Sequence, residues 1–196
     1  MEKEILEIRW HGRGGQGAKT AALLFGEACL ETGKYIQAFP EYGPERMGAP
    51  VTAYNRLSSS EIKIHSGIKN PDVLVILDTS LLDACEDILE GIKEDGIILL
   101  NTSESPEKIR EKLNLKESKI KIYTVDASKI SMECLGRDVP NTPMLGALVK
   151  VLGIFDFNNF LNSVKKRLQE KFRGKESLIE KNLEAIKRAY MEVKND

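Results

Sequence analysis

The first part of the chain alternates short apolar runs with segments of helical periodicity, a pattern typical of α/β proteins. Continuous apolar runs favour strands that are buried on both faces of a sheet. The predicted strands are 4–10, 34–39, 51–57, 61–65, 72–78, 96–101 and 120–125. Only Ser58, Ser59 and Ser60 separate the third strand from the fourth, so these two are expected to form a β-hairpin.

Apolar residues spaced three and four apart predict helices between and after these strands. The predicted helices are 18–31, 79–89, one that starts at Ser105 and Pro106, 127–135, 144–152, 157–172 and 178–193. The fold class that follows is a three-layer α/β/α domain with a mixed, mostly parallel sheet and C-terminal helices. We expect residues 1–196 to form one domain, with an α/β core at 1–153 and a helical extension at 154–196.

Charge and composition exclude several classes of function. The 196 residues include 29 basic and 30 acidic side chains, for a formal net charge of −1. Such a balanced chain has no overall field that would attract nucleic acid or an anionic membrane surface. It has no apolar run of the roughly 20 residues that span a bilayer, and its charged start does not resemble a signal peptide. The cytoplasm is therefore the expected location.

The candidate metal ligands are few and dispersed. Cys29, Cys85 and Cys134 lie far apart in the sequence, no C-x-x-C pair is present, and the two histidines are His11 and His65. Iron–sulfur and structural zinc sites need clustered cysteines or histidines. We expect this chain to hold no metal or redox centre of its own.

A glycine-rich loop follows the first predicted strand and precedes the first predicted helix. Its G-x-G-x-x-G spacing falls in the context that dinucleotide-binding sites require. Helix N-terminal amides favour anions, and glycines allow a phosphate to approach the backbone. The candidate cofactor-binding residues are Gly12, Arg13, Gly14, Gly15, Gln16 and Gly17. The alternative is that these glycines only permit a tight turn and close packing.

The dinucleotide fingerprint is incomplete. It requires an acidic residue at the end of the second strand, which binds a ribose of the cofactor. Here that strand ends at Phe39, and the nearest acid, Glu41, lies beyond Pro40. NAD binding is therefore disfavoured, and Arg13 and Gln16 are expected to meet another phosphate or another subunit.

The loop 40–50 contains three prolines and two glycines, which makes it rigid. Tyr42, Glu45, Arg46 and Met47 are its candidate interface or substrate-side residues, because rigid loops with Tyr, Met and Arg suit protein interfaces. The alternative is a stiff crossover with solvated charges.

Two further positions carry candidate chemistry. Asn141 and Thr142 are expected to cap a helix that begins near Pro143, and ligand contact is the alternative function. Asp78 ends a buried strand at the edge where α/β proteins bind ligands, although acids there also start turns.

Three segments together resemble one family. HGRGGQG at 11–17, EYGPERMGAPV at 41–51 and NTPMLGA at 141–147 are similar to the gamma subunit of pyruvate:ferredoxin oxidoreductase, a domain that also occurs fused within single-chain forms. The resemblance covers nearly the whole chain. In the wider family the middle segment often reads Y-G-P-E-x-R-G-G. The variant with Arg46 and Met47 looks like the pyruvate branch rather than the 2-oxoglutarate branch.

The resemblance implies a function that the chain performs only in a complex. That complex converts pyruvate, coenzyme A and oxidised ferredoxin to acetyl-CoA, carbon dioxide and reduced ferredoxin. Thiamine diphosphate, Mg²⁺ and the 4Fe-4S clusters would belong to companion alpha, beta and delta subunits. This chain would contribute no catalytic residue. It would wall the active site and help to hold the phosphates of coenzyme A, with no nucleic acid or membrane partner.

Three other interpretations remain open at this point. The chain could serve a related enzyme for 2-ketoisovalerate, 2-oxoglutarate or indolepyruvate. It could be a stand-alone nucleotide-binding oxidoreductase or regulatory module, against which the missing ribose acid counts. It could also be a purely structural scaffold subunit, against which the glycine loop with Arg13 and Gln16 counts.

Overall fold

The computed structural model describes residues 5–41, 46–85 and 87–196. The strands within them are β1 (Ile5–Arg13), β2 (Tyr35–Pro40), β3 (Pro50–Ser58), β4 (Val73–Ile76), β5 (Ile97–Asn101), β6 (Lys121–Val125) and β7 (Lys194–Asn195). The α-helices within them are α1 (Ala18–Cys29), α2 (Leu81–Ala84), α3 (Pro106–Lys112), α4 (Ala127–Leu135), α5 (Asn141–Leu152), α6 (Phe157–Lys171) and α7 (Glu176–Glu192). A single 3₁₀ turn, Leu30–Thr32, extends α1.

All these strands form one sheet in the order β2-β3-β1-β4-β5-β6-β7. The pairs β1–β4, β4–β5 and β5–β6 are parallel, whereas β2–β3, β1–β3 and β6–β7 are antiparallel. The predicted α/β class with a mixed sheet is therefore confirmed. Parallel and antiparallel pairings are equal in number rather than mostly parallel, because β3 pairs with two neighbours and β7 adds an edge strand that the sequence pattern does not indicate.

The two faces of the sheet are covered differently. We call the face that packs against α1, α4, α5, α6 and α7 the helical face; its apolar cluster includes Trp10, Phe25 and Val75. We call the opposite face, which packs against α2, α3, the segments 59–71 and 87–91 and Cys85, the loop face. Its apolar cluster is smaller and includes Leu74 and Ile76. Because side chains alternate along a strand, Val75 and its neighbour Ile76 enter opposite clusters.

The predicted hairpin is wrong in its second arm. Residues 51–57 do form a strand, but it pairs with β1 and β2, and residues 61–65 form no strand. Arg56, which is 1% exposed, holds this part of the chain instead: its guanidinium donates to the carbonyls of Ser66 at 2.8 Å and of Ile64 and Gly67 at 3.5 Å. Those carbonyls are turned toward a side chain and so are not paired in a strand ladder.

The predicted helix 79–89 is also too long. The helix α2 ends at Ala84, and Cys85 adopts an extended backbone. Arg9 Nη2 donates to the carbonyls of Ile88, at 3.0 Å, and Glu90, at 2.8 Å. An arginine on the sheet thus holds the segment after α2 by its backbone carbonyls.

The other helix predictions are close to the structure. The predicted helix 127–135 coincides with α4, which Asp126 caps by accepting from the Lys129 amide at 2.9 Å. Ser105 caps α3, with Pro106 in its first turn. The two C-terminal helices match within a few residues and pack into the same apolar cluster as β1 and α1.

Candidate anion-binding site at the glycine loop

The glycine loop joins the end of β1, at Arg13, to the start of α1, at Ala18. Its last residue, Gly17, has a left-handed backbone (φ 83°) and occupies the N-cap position of α1. No side-chain hydrogen bond caps the helix there. The first backbone bond of the helix runs from the Ala21 amide to the Gly17 carbonyl, at 2.8 Å. Within the part of the chain that the structure describes, the amides of Gly15, Gly17 and Ala18 donate to no protein acceptor. Open N–H groups therefore lie at the positive end of the helix dipole.

The second loop, 46–49, is bonded directly to the glycine loop. The Gly14 amide donates to the Ala49 carbonyl at 2.8 Å, and the Gly14 carbonyl accepts from the Gly48 amide at 3.0 Å. A Cβ atom on Gly14 would lie 2.3 Å from the carbonyl oxygen of Arg46. Gly14 therefore allows one loop to contact the other, and the space beside it belongs to protein rather than to a ligand.

The remaining loop glycines face two further residues of the sequence segments singled out above. Gly15 has φ 100°, and a Cβ there would lie 2.9 Å from Met47 Sδ. A Cβ on Gly17 would lie 2.5 Å from Asn141 Nδ2. The segments 11–17, 46–51 and 141–147 are distant in sequence, yet they meet around this loop.

Arg13 is held in place by the ends of neighbouring elements. Its Nε and Nη2 contact Ser80 Oγ at 3.1 and 2.9 Å, and its Nη1 donates to the Gly48 carbonyl at 3.1 Å. Gln16 spans the loop, because its Oε1 accepts from the Arg13 amide and its Nε2 donates to Asp78 Oδ2, both at 2.7 Å. Arg13 Nε lies 3.4 Å from the same carboxylate oxygen.

Asp78 is the anchor of this network. Burial alone would raise the pKa of its carboxyl, but hydrogen bonds from Ser80 and Gln16 outweigh that effect and lower the pKa below its ordinary value. The carboxylate therefore stays ionised at neutral pH. It orients Arg13 and Gln16 and offsets part of the positive charge on Arg13.

A cavity of about 330 Å³ opens between the glycine loop and the loop 46–51. It is lined by Arg13, Gly14, Gly15, Gly17, Ala18, Lys19, Arg46, Met47 and Val51. Among the described lining residues, three are basic and none is acidic. Together with the open amides, this lining matches a small anionic group such as a phosphate.

The chain matches the protein family described as "Pyruvate ferredoxin/flavodoxin oxidoreductase" over residues 7–192. The chain belongs to this family. It is 47% identical to the pyruvate synthase subunit PorC of Thermotoga maritima, across 99% of this chain and 97% of that protein. It is 46% identical to the pyruvate/ketoisovalerate oxidoreductases common subunit gamma of Pyrococcus furiosus, across 95% and 96%.

The fold agrees with a solved relative. A crystal structure of the pyruvate oxidoreductase subunit PORC from Thermotoga maritima superposes with a TM-score of 0.82 at 46% identity, and the match covers 99% of each chain. The resemblance inferred from three sequence segments is thus confirmed at the level of the family.

The capping prediction for Asn141 and Thr142 is wrong. In this member of the family α5 begins at Asn141 itself, and Pro140 precedes it without a side-chain cap. Pro143 can lie inside the first turn because amides there need no partner within the helix. Asn141 instead contacts Gly17, and Thr142 is buried at 6% exposure. Neither residue lines the cavity.

The candidate interface residues are only partly described. Tyr42 and Glu45 lie outside the described residues. Arg46 is exposed and Met47 is 88% exposed, although both also line the cavity. The proposed interface function of this loop therefore stays a prediction.

Gly12 and His11 have mainly structural surroundings. Gly12 lies within β1, where a Cβ would crowd Ala18 at 3.1 Å. His11 Nε2 accepts from Arg9 Nε at 3.0 Å, and burial together with the Arg9 charge lowers the pKa of His11 to about 4. His11 is therefore neutral at physiological pH.

Sequence reasoning missed two residues of this site. Lys19 lies in the first turn of α1, where a basic residue is electrostatically unusual; that placement was the available signal. Ser80, the partner of Arg13, shows no comparable signal, because its position depends on how β4 lies beside β1.

The described residues include no site for a metal cluster. Cys29, Cys85 and Cys134 are free and lie on separate elements. No group of three or more His, Cys, Asp or Glu side chains among the described residues is placed to hold a metal ion. The same residues include no helix that is both long and apolar enough to cross a membrane.

Proposed function

We propose that this chain is the gamma subunit of a cytoplasmic pyruvate:ferredoxin oxidoreductase, and that its glycine loop binds a phosphate of coenzyme A in the assembled enzyme. The observation that carries the second part is the cavity in which open amides of Gly15, Gly17 and Ala18 meet Arg13 and Lys19. Open helix-terminal amides and an arginine fork are the protein's usual means of holding a phosphate.

The work of the complex is divided. Thiamine diphosphate, Mg²⁺ and 4Fe-4S clusters belong, in this proposal, to companion alpha, beta and delta subunits, and ferredoxin takes the electrons. The contribution of this chain is binding: Arg13 and the loop amides hold the anionic part of coenzyme A and so help to orient it. No catalytic residue is assigned to this chain.

The sheet topology argues against NAD as the ligand. A dinucleotide site takes its ribose acid from a strand beside β1. Here β3 lies between β1 and β2, so the end of β2 is not next to the glycine loop. Glu41, the nearest acid, accepts from the Tyr54 hydroxyl at 2.8 Å. Coenzyme A needs no such acid, because its phosphates alone match the cavity.

The test is Arg13→Ala in the complex assembled with its companion subunits. Loss of a hydrogen bond to a charged group costs about 1.5–3 kcal/mol, so the KM for coenzyme A should rise about 10- to 150-fold. The KM for pyruvate should change much less. Arg173→Ala, at an exposed arginine on the C-terminal side of α6, is the matched control. Unchanged KM and turnover in Arg13→Ala would exclude Arg13 as a ligand, and failed assembly would indicate an interface element instead.

The loop 40–50 is proposed to face a companion subunit, with Met47 as an apolar contact and with Tyr42, Glu45 and Arg46 around it. The support is that Met47 is 88% exposed on a loop bonded to the glycine loop. Met47→Ala should weaken assembly by at least about 1 kcal/mol, roughly fivefold in Kd. Met191, which is 78% exposed on α7, is the matched control. Equal affinity for both variants would leave the loop as a crossover only.

The name of one relative suggests that this chain also serves an enzyme for a second 2-oxoacid. The Pyrococcus furiosus protein is named as a subunit common to pyruvate and ketoisovalerate oxidoreductases. We infer that this chain also serves a ketoisovalerate enzyme where one is present, since the cavity is proposed to hold coenzyme A and not the 2-oxoacid. Pull-down with the tagged chain should then yield two sets of companion subunits, each with its own substrate preference. A single set with activity toward pyruvate alone would contradict this second function.

A further inference from the structure

A buried amide lies in the middle of α7. Asn182 is 5% exposed, between the apolar positions Ile179, Leu183 and Ile186. Burying an amide without partners is costly, so both ends of this side chain should be bonded. Its Nδ2 donates to the Leu178 carbonyl at 2.7 Å, which turns its Oδ1 toward α5.

The partner on α5 is Thr142. Its hydroxyl donates to Asn182 Oδ1 at 3.0 Å. One turn further along both helices, a Cβ on Gly146 would lie 2.0 Å from the carbonyl oxygen of Ile186. The absence of that Cβ lets the two helices lie close together, and this closeness brings Thr142 within reach of Asn182.

The chain of contacts continues to the glycine loop. The Thr142 amide donates to Asn141 Oδ1 at 2.8 Å. This bond fixes the orientation of the Asn141 amide and places its Nδ2 2.5 Å from where a Cβ of Gly17 would be. Asn141 therefore packs against the backbone of Gly17, which has no side-chain cap of its own and holds a left-handed φ of 83°. The hydroxyl of Thr142 also lies 3.2 Å from Asn141 Oδ1, but its one proton is directed to the nearer Asn182.

We propose that Asn182, Thr142 and Asn141 are positioning residues, which fix Gly17 and the first amides of α1 in the geometry that binds the anion. The proposal rests on the function proposed for the glycine loop and extends it to a part of the chain far from the loop in sequence. None of the three touches the ligand. They act through Gly17, whose conformation decides where the open amides point.

The competing explanation is that these bonds only join α5 to α7. The two explanations predict different effects when the Thr142 hydroxyl is removed. A purely structural bond affects stability alone, whereas a positioning bond also affects the KM for coenzyme A. Thr142→Val removes the hydroxyl and keeps the shape of the side chain, and Thr142→Ser restores it. Thr124→Val is the matched control, because Thr124 is 1% exposed on β6, three strands away from β1.

The experiment measures steady-state kinetics and melting temperature of each variant in the complex assembled with its companion subunits. Thr142→Val should raise the KM for coenzyme A about threefold to tenfold, the effect of one misplaced hydrogen bond. Turnover and the KM for pyruvate should stay near the wild-type values. Thr142→Ser should restore the wild-type KM for coenzyme A. Thr124→Val should change neither KM.

Two outcomes overturn the proposal. If Thr142→Val lowers the melting temperature but leaves the KM for coenzyme A at the wild-type value, the bonds are structural. If Thr142→Val does not assemble, Asn141→Ala, at the half-buried end of the chain of contacts, must give the same rise in KM; no rise there contradicts the proposal. Arg13→Ala distinguishes a failure of the proposed positioning residues from a failure of the proposed anion site. A rise in Arg13→Ala without one in Thr142→Val rejects only the positioning residues, whereas no rise in Arg13→Ala rejects the anion site itself.

Discussion

The two faces of the sheet are stabilised by different physical means. On the helical face, long helices cover the strands and apolar side chains interlock, as where Phe25 contacts Trp10, Phe155 and Phe160. On the loop face near β1 and β3, two buried arginines, Arg9 and Arg56, hold irregular segments by their backbone carbonyls. Hydrophobic packing tolerates changes of similar volume, whereas a buried charge depends on each of its partners.

The arginines tie specific segments to the sheet. Arg9 donates to carbonyls on both sides of the loop face, those of Ile68 and Lys69 at 3.4 Å and those of Ile88 and Glu90 at 3.0 and 2.8 Å. Arg56 adds an ion pair with Glu7 at 2.8 Å. Segments without regular structure are thus fixed to the sheet where a buried cation takes up their carbonyl groups.

The largest effect is expected on the loop face. Arg56→Leu removes the bonds from Arg56 to the carbonyls of Ile64, Ser66 and Gly67 and leaves Glu7 without its cation, so the free energy of unfolding should fall by about 3–5 kcal/mol. Urea unfolding measures the loss, and hydrogen exchange should show that protection is lost first in 59–71. Arg173→Leu, at an exposed arginine, should change stability by less than about 0.5 kcal/mol. Equal losses in the two variants would show that Arg56 does not organise this face.

On the helical face the sharpest change is Gly146→Ala. The new Cβ would meet the Ile186 carbonyl at 2.0 Å and force α5 away from α7. We expect a loss of about 3 kcal/mol, the upper part of the range for overpacked cores. Gly153→Ala is the control for backbone strain, because Gly153 has φ 61° but nothing within 4 Å of its Cβ position. This control substitution should cost only about 1–2 kcal/mol. A smaller loss in Gly146→Ala than in Gly153→Ala would contradict the close helix contact.

A smaller effect is expected from pH, and only on the loop face. The folded chain keeps His11 neutral, with a pKa of about 4 against an ordinary 6.5, because burial and, after it, the nearby Arg9 charge disfavour the protonated ring. The unfolded chain binds the extra proton first, so this contribution to stability is present above about pH 6.5 and is lost as pH falls toward 4. His11→Gln keeps an acceptor but does not titrate.

Comparing wild type with His11→Gln isolates the titration of the His11 side chain. Between about pH 7.5 and pH 5, wild type should lose about 1–2 kcal/mol more than His11→Gln in urea unfolding. Parallel pH profiles of the two proteins would show that folding does not lower the pKa of His11.

The same contrast explains which parts of the fold the sequence predicts. Both ends of α4 follow from local signals, an Asp126 cap and Gly136 in a left-handed conformation just after the helix. The helices of the helical face follow from the spacing of apolar residues. The loop face does not, because the carbonyls that Arg9 and Arg56 collect are identical in every residue type and leave no pattern in the sequence. The missing strand at 61–65 lies in the segment that Arg56 holds, and α2 stops before the segment that Arg9 holds.

The candidate site divides in a similar way. The strand–glycine loop–helix unit is local, so its position and its open amides are predictable from the residues 11–17. The contacts of Arg46 with Gly14 and of Asn141 with Gly17 are tertiary, and only the resemblance to a family grouped these segments beforehand. The partnership of Arg13 with Ser80 depends on the parallel pairing of β1 and β4, which no periodicity specifies.

The central claim is that the glycine loop binds a phosphate of coenzyme A, and a structure of the assembled enzyme with coenzyme A bound tests it most directly. The account predicts a phosphate oxygen at about 3 Å from the amides of Gly17 and Ala18 and from the Arg13 guanidinium, the distance of a charge-assisted hydrogen bond. Coenzyme A bound with all its phosphates on companion subunits, and with a partner side chain filling the cavity beside Gly17, would contradict it.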